Sequence, residues 1–286
     1  MDLMHYPAQE PLSPLGQAYA REALARGTGL VPVEARYGED PYQGLSVFEP
    51  DSGNGIMLVF FHGGGWTSGY KEWMHFMAPA LNAAGVTVVL AGYRLAPQHV
   101  FPAGLHDCAR ALAWASDWAQ QRFGRQARLF VGGHSAGGHY ASLLALTDPW
   151  GTALGMARPA IAGCLPISGV YRFGAGSGLS VRPRFLGPHD DAAIDHVASP
   201  LHQVGTQSIA PFFMAWGEND FAHLKAQATE MAAALRAAGG AVTECVLPKA
   251  DHFQASLCAG DSQGPWLPAA VQWMQSFFVV DPTRRT

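Results

Sequence analysis

Arg128-Leu129-Phe130-Val131-Gly132-Gly133-His134-Ser135-Ala136-Gly137-Gly138 runs from an apolar stretch into a glycine-rich turn and then into a helical pattern that sets in near His139. The pattern predicts a strand over 127–131, a tight turn, and a helix over 136–147. A serine on so sharp a turn takes strained backbone angles, and only small residues two positions to either side avoid the neighbouring strand and helix. Gly133 and Gly137 meet that need. The turn raises the Ser135 hydroxyl above the sheet, and the following helix directs its positive end toward developing negative charge, which makes Ser135 a candidate nucleophile. A strand-to-helix glycine turn can instead cradle phosphate, but no Walker lysine follows this one.

Working outward, further strands are predicted over 31–37, 45–49, 56–61, 86–91, 161–167, 211–216 and 241–247, with helices over 16–26, 103–123 and 222–238. The run Ile56-Met57-Leu58-Val59-Phe60-Phe61 is apolar throughout, the mark of a strand covered on both faces. Strand and helix alternate, which predicts an α/β domain with a mainly parallel sheet flanked by helices and a ligand site at the carboxyl ends of the strands. The expected organisation is one domain over 1–286, with 1–30 lying across it. The stretch 168–208, rich in Gly, Pro, Arg and His, lacks periodicity and is expected to form a small lid insertion over the site.

The 56–61 strand ends in His62-Gly63-Gly64-Gly65-Trp66. Attack on a carbonyl creates an alkoxide, which needs donors already aimed at it. The backbone NH groups of Gly64, Gly65 and Ala136 are the candidate oxyanion donors, because glycine leaves room for a reacting carbonyl. His62 is expected to anchor the loop through a hydrogen bond. Trp66, Tyr70 and Trp73 are candidates for a substrate pocket, with core packing the alternative for aromatic residues.

Twelve histidines make residue type uninformative, so position must choose. A nucleophile elbow takes its triad in the order serine, acid, histidine. His252 follows the last strand and is the one histidine beyond His223, which makes it the candidate base. The acid belongs after the preceding strand, where Gly217-Glu218-Asn219-Asp220 offers Asp220, with Glu218 as the alternative. Asp251 is read as shaping its loop, and His134 and His139 as packing beside the elbow. The implied chemistry is nucleophilic catalysis through an acyl-enzyme, with no metal and no cofactor.

The chain has 286 residues, 49% of them hydrophobic and 14% charged, with a formal net charge of -4 and no basic run. That balance gives no support for a nucleic-acid or membrane-surface partner and fits a small-molecule substrate. Cys108, Cys164, Cys245 and Cys258 show no metal-type spacing and are read as free core thiols. With no basic-then-apolar leader at the N-terminus, a cytoplasmic location is expected.

From about Leu45 onward the chain resembles two branches of the α/β-hydrolases. His62-Gly63-Gly64-Gly65, Tyr93-Arg94-Leu95-Ala96-Pro97, Phe101-Pro102 and Asp107-Cys108 are similar to the hormone-sensitive-lipase-like esterases. His134 before the serine, Gly217-Glu218-Asn219-Asp220, Ser168-Gly169-Val170-Tyr171 and Asp251-His252-Phe253 depart from that branch and resemble the arylformamidases. The resemblance implies an α/β-hydrolase fold and three readings of function: a carboxylesterase for small short-acyl or aryl esters, an arylformamidase for N-formylkynurenine or a related anilide, or a small-molecule receptor on the same fold.

Overall fold

In the computed structural model, which describes residues 3–205 and 209–278, one sheet carries the chain. Its strands are β1 (Val33–Arg36), β2 (Gly44–Phe48), β3 (Ile56–Phe61), β4 (Thr87–Ala91), β5 (Arg128–His134), β6 (Ile161–Ile167), β7 (Phe212–Gly217) and β8 (Val242–Leu247), in the spatial order β1-β2-β4-β3-β5-β6-β7-β8. All pairings from β4 to β8 are parallel, and β2 pairs antiparallel with both β1 and β4. This is the mainly parallel α/β sheet expected from the alternation.

Strand β3 shows why an unbroken apolar run was required. Met57, Val59 and Phe61 enter one core cluster and Ile56, Leu58 and Phe60 the other, all of them buried. Each such side chain contributes about 2 kcal/mol by leaving water. Helices α1 (Pro14–Arg26), α2 (Ala78–Ala83), α3 (Ala103–Phe123), α4 (Ala136–Leu146), α5 (Ala192–Ala198), α6 (Pro200–Gln203), α7 (Ala222–Ala237), α8 (His252–Leu257) and α9 (Trp266–Gln275) divide between the faces. Core residues of α3, α4 and α7 join the first cluster, and those of α1, α2, α8 and α9 the second.

Helix α1 starts where local chemistry tells it to: Pro14 stands at its first position and the Ser13 hydroxyl accepts the Gly16 NH at 3.1 Å. The stretch ahead of it crosses the domain as a strap tied down by Tyr6, whose hydroxyl donates to the buried Glu72, and by Tyr42, whose hydroxyl donates to the Pro7 carbonyl at 3.0 Å. The 168–208 stretch holds α5 and α6 and packs over α4, while 206–208 lie outside the described residues. Cys108 and Cys164 are buried, but Cys245 and Cys258 are partly exposed, on the edge strand β8 and after α8, so the core-thiol reading fits only the first two. Among the described residues no helix is long and apolar enough to cross a membrane.

Candidate active site

Strand β5 runs on through His134, past the expected end at 131, and hands directly to α4 through Ser135 at φ 53° and ψ -115°. That conformation costs a non-glycine residue about 1–3 kcal/mol. The glycines around it have no room for a side chain: a Cβ on Gly133 would lie 2.3 Å from the Gly137 carbonyl carbon, and one on Gly137 would lie 2.2 Å from the Phe61 oxygen. The elbow and the exit of β3 are therefore in main-chain contact.

Above the strand ends, the Ser135 hydroxyl lies 3.0 Å from His252 Nε2, and His252 Nδ1 lies 2.9 Å from Asp220 Oδ1. Ser135 is partly exposed, whereas the Asp220 side chain is fully covered. Burial alone would raise the Asp220 pKa, but hydrogen bonds from His252, Ser168 and the Phe221 NH, together with the attraction of His252, hold it below the usual carboxylate range. The loop bearing His252 is held by Asp251, which caps α8 by accepting the Phe253 and Gln254 NH groups at 3.0 and 2.8 Å while Gln254 returns a bond to the Asp251 NH. Glu218 is exposed and accepts the Lys249 NH at 2.7 Å.

Sequence reasoning missed Ser168 as a partner of the acid. Its hydroxyl donates to Asp220 Oδ2, from a backbone at φ 50° just past β6. Its place in the quoted Ser-Gly-Val-Tyr segment, one strand away from the acid loop, was the available signal.

The loop after β3 is arranged by its carbonyls. In a trans peptide the C=O and the next NH point in opposite directions, so fixing one aims the other. His62 Nδ1 bonds the Gly63 oxygen at 2.7 Å, which orients the Gly64 NH. The Gly64 oxygen accepts Thr67 NH, Ser68 NH and Ser68 Oγ at 3.3, 3.1 and 2.9 Å, which orients the Gly65 NH. The Ser135 oxygen accepts the His139 NH at 2.9 Å and so fixes the Ala136 NH at the start of α4. Among the described residues none of these three NH groups has an acceptor, and Gly64 and Gly65 line the same cleft as Ser135 and His252. Burial drives the His62 pKa down to about 4, so the ring that bonds Gly63 is neutral, stacked 4.3 Å from Tyr93. Tyr93 donates to the His62 oxygen at 2.8 Å, and Arg94 grips the fully buried Asp107 at 2.7 and 2.8 Å. The Tyr93–Asp107 motif thus braces this loop from below.

The cleft, about 300 Å³, is walled by Leu12, Tyr19, Trp73, Phe221 and Phe253. Of the three aromatic candidates, Trp73 is at the wall; Tyr70 stands behind it, against Tyr6 and Trp73. Trp66 turns away, stacks on Phe185 and donates to His139 Nδ1 at 3.1 Å, bordering a separate cavity of about 200 Å³ with Val181 and Arg184. The expected 168–208 lid accordingly borders that second cavity, and the 1–30 segment supplies the wall beside Ser135. His134 Nε2 bonds the His252 carbonyl at 2.9 Å; burial and the neighbouring His252 push its pKa down to about 3. His139 bonds the Ala198 oxygen at 2.7 Å, and burial likewise lowers it to about 3. A larger cavity of about 570 Å³ lies elsewhere, but its buried Lys71 is already paired with Glu34 and Glu72.

An elbow serine, a glycine loop beside it and a histidine–carboxylate pair over a mainly parallel sheet define the class, and residues 58–255 match the profile of the alpha/beta hydrolase fold family: the chain belongs to that family. Among curated relatives, carboxylic ester hydrolase LipN of Mycobacterium tuberculosis is 32% identical over 214 residues, covering 68% of this chain and 56% of that protein. Carboxylesterase NlhH of the same species is 38% identical over 91 residues, 31% of this chain and 28% of that protein. The chain therefore spans between 28% and 56% of the length of these first curated relatives. Kynurenine formamidase of Danio rerio is 27% identical over 232 residues, covering 80% of this chain and 77% of that protein. Among solved structures, esterase B of Lactobacillus rhamnosis superposes with a TM-score of 0.73 at 20% identity, covering 91% of each chain. The metagenomic carboxylesterase EstE1 does so at 0.68 and 19%, covering 93% of this chain and 96% of its own. Both likenesses show the fold.

Proposed function

We propose that the chain is a serine hydrolase that cleaves small carboxylic esters, short-acyl or aryl, through an acyl-enzyme. The observation that carries this reading is the continuous path from Ser135 Oγ to His252 Nε2 at 3.0 Å and from His252 Nδ1 to Asp220 at 2.9 Å, opening on a cleft that Gly64 and Gly65 also line. Ser135 attacks the carbonyl carbon while His252 takes its proton; the alkoxide is received by the NH groups of Gly64, Gly65 and Ala136. His252 then returns the proton to the leaving oxygen, and water, deprotonated by the same imidazole, releases the acid. Asp220 holds the imidazole in the tautomer that presents a bare Nε2 to the serine and stabilises the imidazolium. The chemistry runs on this chain's own groups and calls for no cofactor.

A second reading, an arylformamidase, is supported by the breadth of the match to the formamidase and by a cleft walled with rings, which suits an aniline. A formanilide is the harder substrate, since its nitrogen must be protonated as it leaves and so must be held closely. The test is kcat/KM on p-nitrophenyl acetate and butanoate against N-formylkynurenine. Esters are expected to lead; a formamide ahead by more than about tenfold, about 1.4 kcal/mol of barrier, reverses the order of the two readings. A protein that binds these compounds without turnover is a receptor on the same fold.

A further inference from the structure

Gln9 lies in the strap ahead of α1 and belongs to none of the motifs that carry the chemistry. Its side-chain amide pairs with one residue at two points: Oε1 accepts the Gly69 NH at 2.8 Å and Nε2 donates to the Gly69 oxygen at 2.9 Å. The remaining amide hydrogen goes to the Tyr42 hydroxyl at 2.9 Å, and Tyr42 is itself buried and tied to the Pro7 carbonyl. A glutamine amide used in this way imitates a neighbouring strand and leaves its partner little freedom.

Gly69 is where the oxyanion loop closes on itself. A Cβ there would lie 2.4 Å from the Gly63 oxygen and 2.4 Å from His62 Nδ1, the two atoms whose bond aims the Gly64 NH. Its other neighbour is Ser68, whose NH and hydroxyl hold the Gly64 oxygen and thereby aim the Gly65 NH. Moving Gly69 displaces both arrangements. We infer that Gln9 is a positioning residue for the oxyanion donors, so that the N-terminal strap sets the rate of the chemical step as well as walling the cleft. The inference rests on the serine-hydrolase reading above. It says that transition-state stabilisation at one end of the site depends on a residue outside the hydrolase motifs.

Gln9→Met keeps the volume and loses both bonds to Gly69; Tyr6→Phe loosens the same strap by removing the bond to Glu72 and serves as the control. Two quantities are read on full-length protein: kcat and KM for a short-acyl nitrophenyl ester, and the rate at which an alkyl fluorophosphonate labels Ser135. In that labelling Oγ bonds to phosphorus, fluoride leaves, His252 takes the proton and the phosphoryl oxygen occupies the donors' position. Misaimed donors cost less than the loss of one outright, so Gln9→Met is expected to lower both kcat and the labelling rate by about tenfold. KM should stay within about twofold, and Tyr6→Phe should lower the melting temperature while leaving both rates unchanged. A rise in KM at constant kcat, a fall in melting temperature alone, or equal rate losses in both variants overturns the inference. Wild-type protein that is labelled but inert toward esters and formamides refutes the proposed substrate class and still tests Gln9, whereas wild-type protein that resists labelling refutes the hydrolase reading itself.

Discussion

Ser135 and Leu12 face the same cleft but reach it by different routes. Ser135 is placed by its own neighbours: a strand, a strained turn, and two glycines whose hydrogens already touch main chain. Leu12 is placed by contacts far away in sequence, through a strap pinned to Glu72, Gly69 and, by way of Glu10, Arg184. A floor built from local necessity has one solution, while a wall built from distant contacts has many. Chemistry should therefore be sensitive to single atoms at the floor, and selectivity should respond in small steps at the rim.

The sharpest test of that contrast is Ser135→Ala, expected to reduce kcat by about a millionfold with an unchanged circular-dichroism spectrum, since alanine fits the elbow. Substantial ester hydrolysis by that variant breaks the account of the floor. Next in size, Asp220→Asn should cost about ten-thousandfold by favouring the wrong imidazole tautomer. Glu218→Gln should leave kcat nearly unchanged, because that carboxylate serves the Lys249 NH. Reversal of the two effects exchanges their roles. Ser168→Ala, which takes one hydrogen bond from Asp220, is expected to lower kcat by at least about tenfold, since a bond to a charged group contributes about 1.5–3 kcal/mol. At the rim, Leu12→Ala should raise KM a few-fold at constant kcat; a fall in kcat instead means that the wall acts on the transition state.

A further effect, on stability, depends on pH. His62 and His75 are pushed down to about 4, and His134 and His139 to about 3, in each case first by burial. Their folded pKa values lie below the ordinary 6.5, so between those limits the unfolded chain binds more protons. Stability is thus fully present above about pH 6.5 and declines on acidification, by about 1.4 kcal/mol per pH unit per histidine. The melting temperature should drop between about pH 7 and pH 5; a flat profile contradicts burial of these rings in the neutral form.

The same contrast decides what could be read from the chain. Strands β3 and β6 and helix α3 fall where periodicity put them, because both faces of a buried strand and one face of a long helix leave a pattern. The elbow and the glycine loop are legible because steric demand there admits few residues. The rim left no such trace. Leu12 looks like any residue of a surface loop and Tyr19 like any residue of a surface helix, and their nearness to Ser135 follows only from packing across the whole domain. Trp66, Tyr70 and Trp73 are near neighbours in sequence, yet Trp66, at a positive φ, borders a different cavity from the cleft that Trp73 walls with Tyr70 behind it. Helix α8 is too short to show a period, although the Asp251–Gln254 spacing of a capping box was there to be read.

The contact between Gly137 and the carbonyls of Phe61 and His62 joins the Ser135 elbow and the glycine loop after β3 through main-chain atoms. Main-chain packing sets how close the two segments lie, while the side chains of His62, Ser68 and Tyr93 set how the loop's peptides are turned. A lineage built on this scaffold can accordingly exchange cleft-facing residues of the strap such as Leu12 and acquire a new substrate, provided that Gln9 keeps its grip on Gly69. The part of the molecule that is hardest to vary is thereby what frees the remainder to diversify.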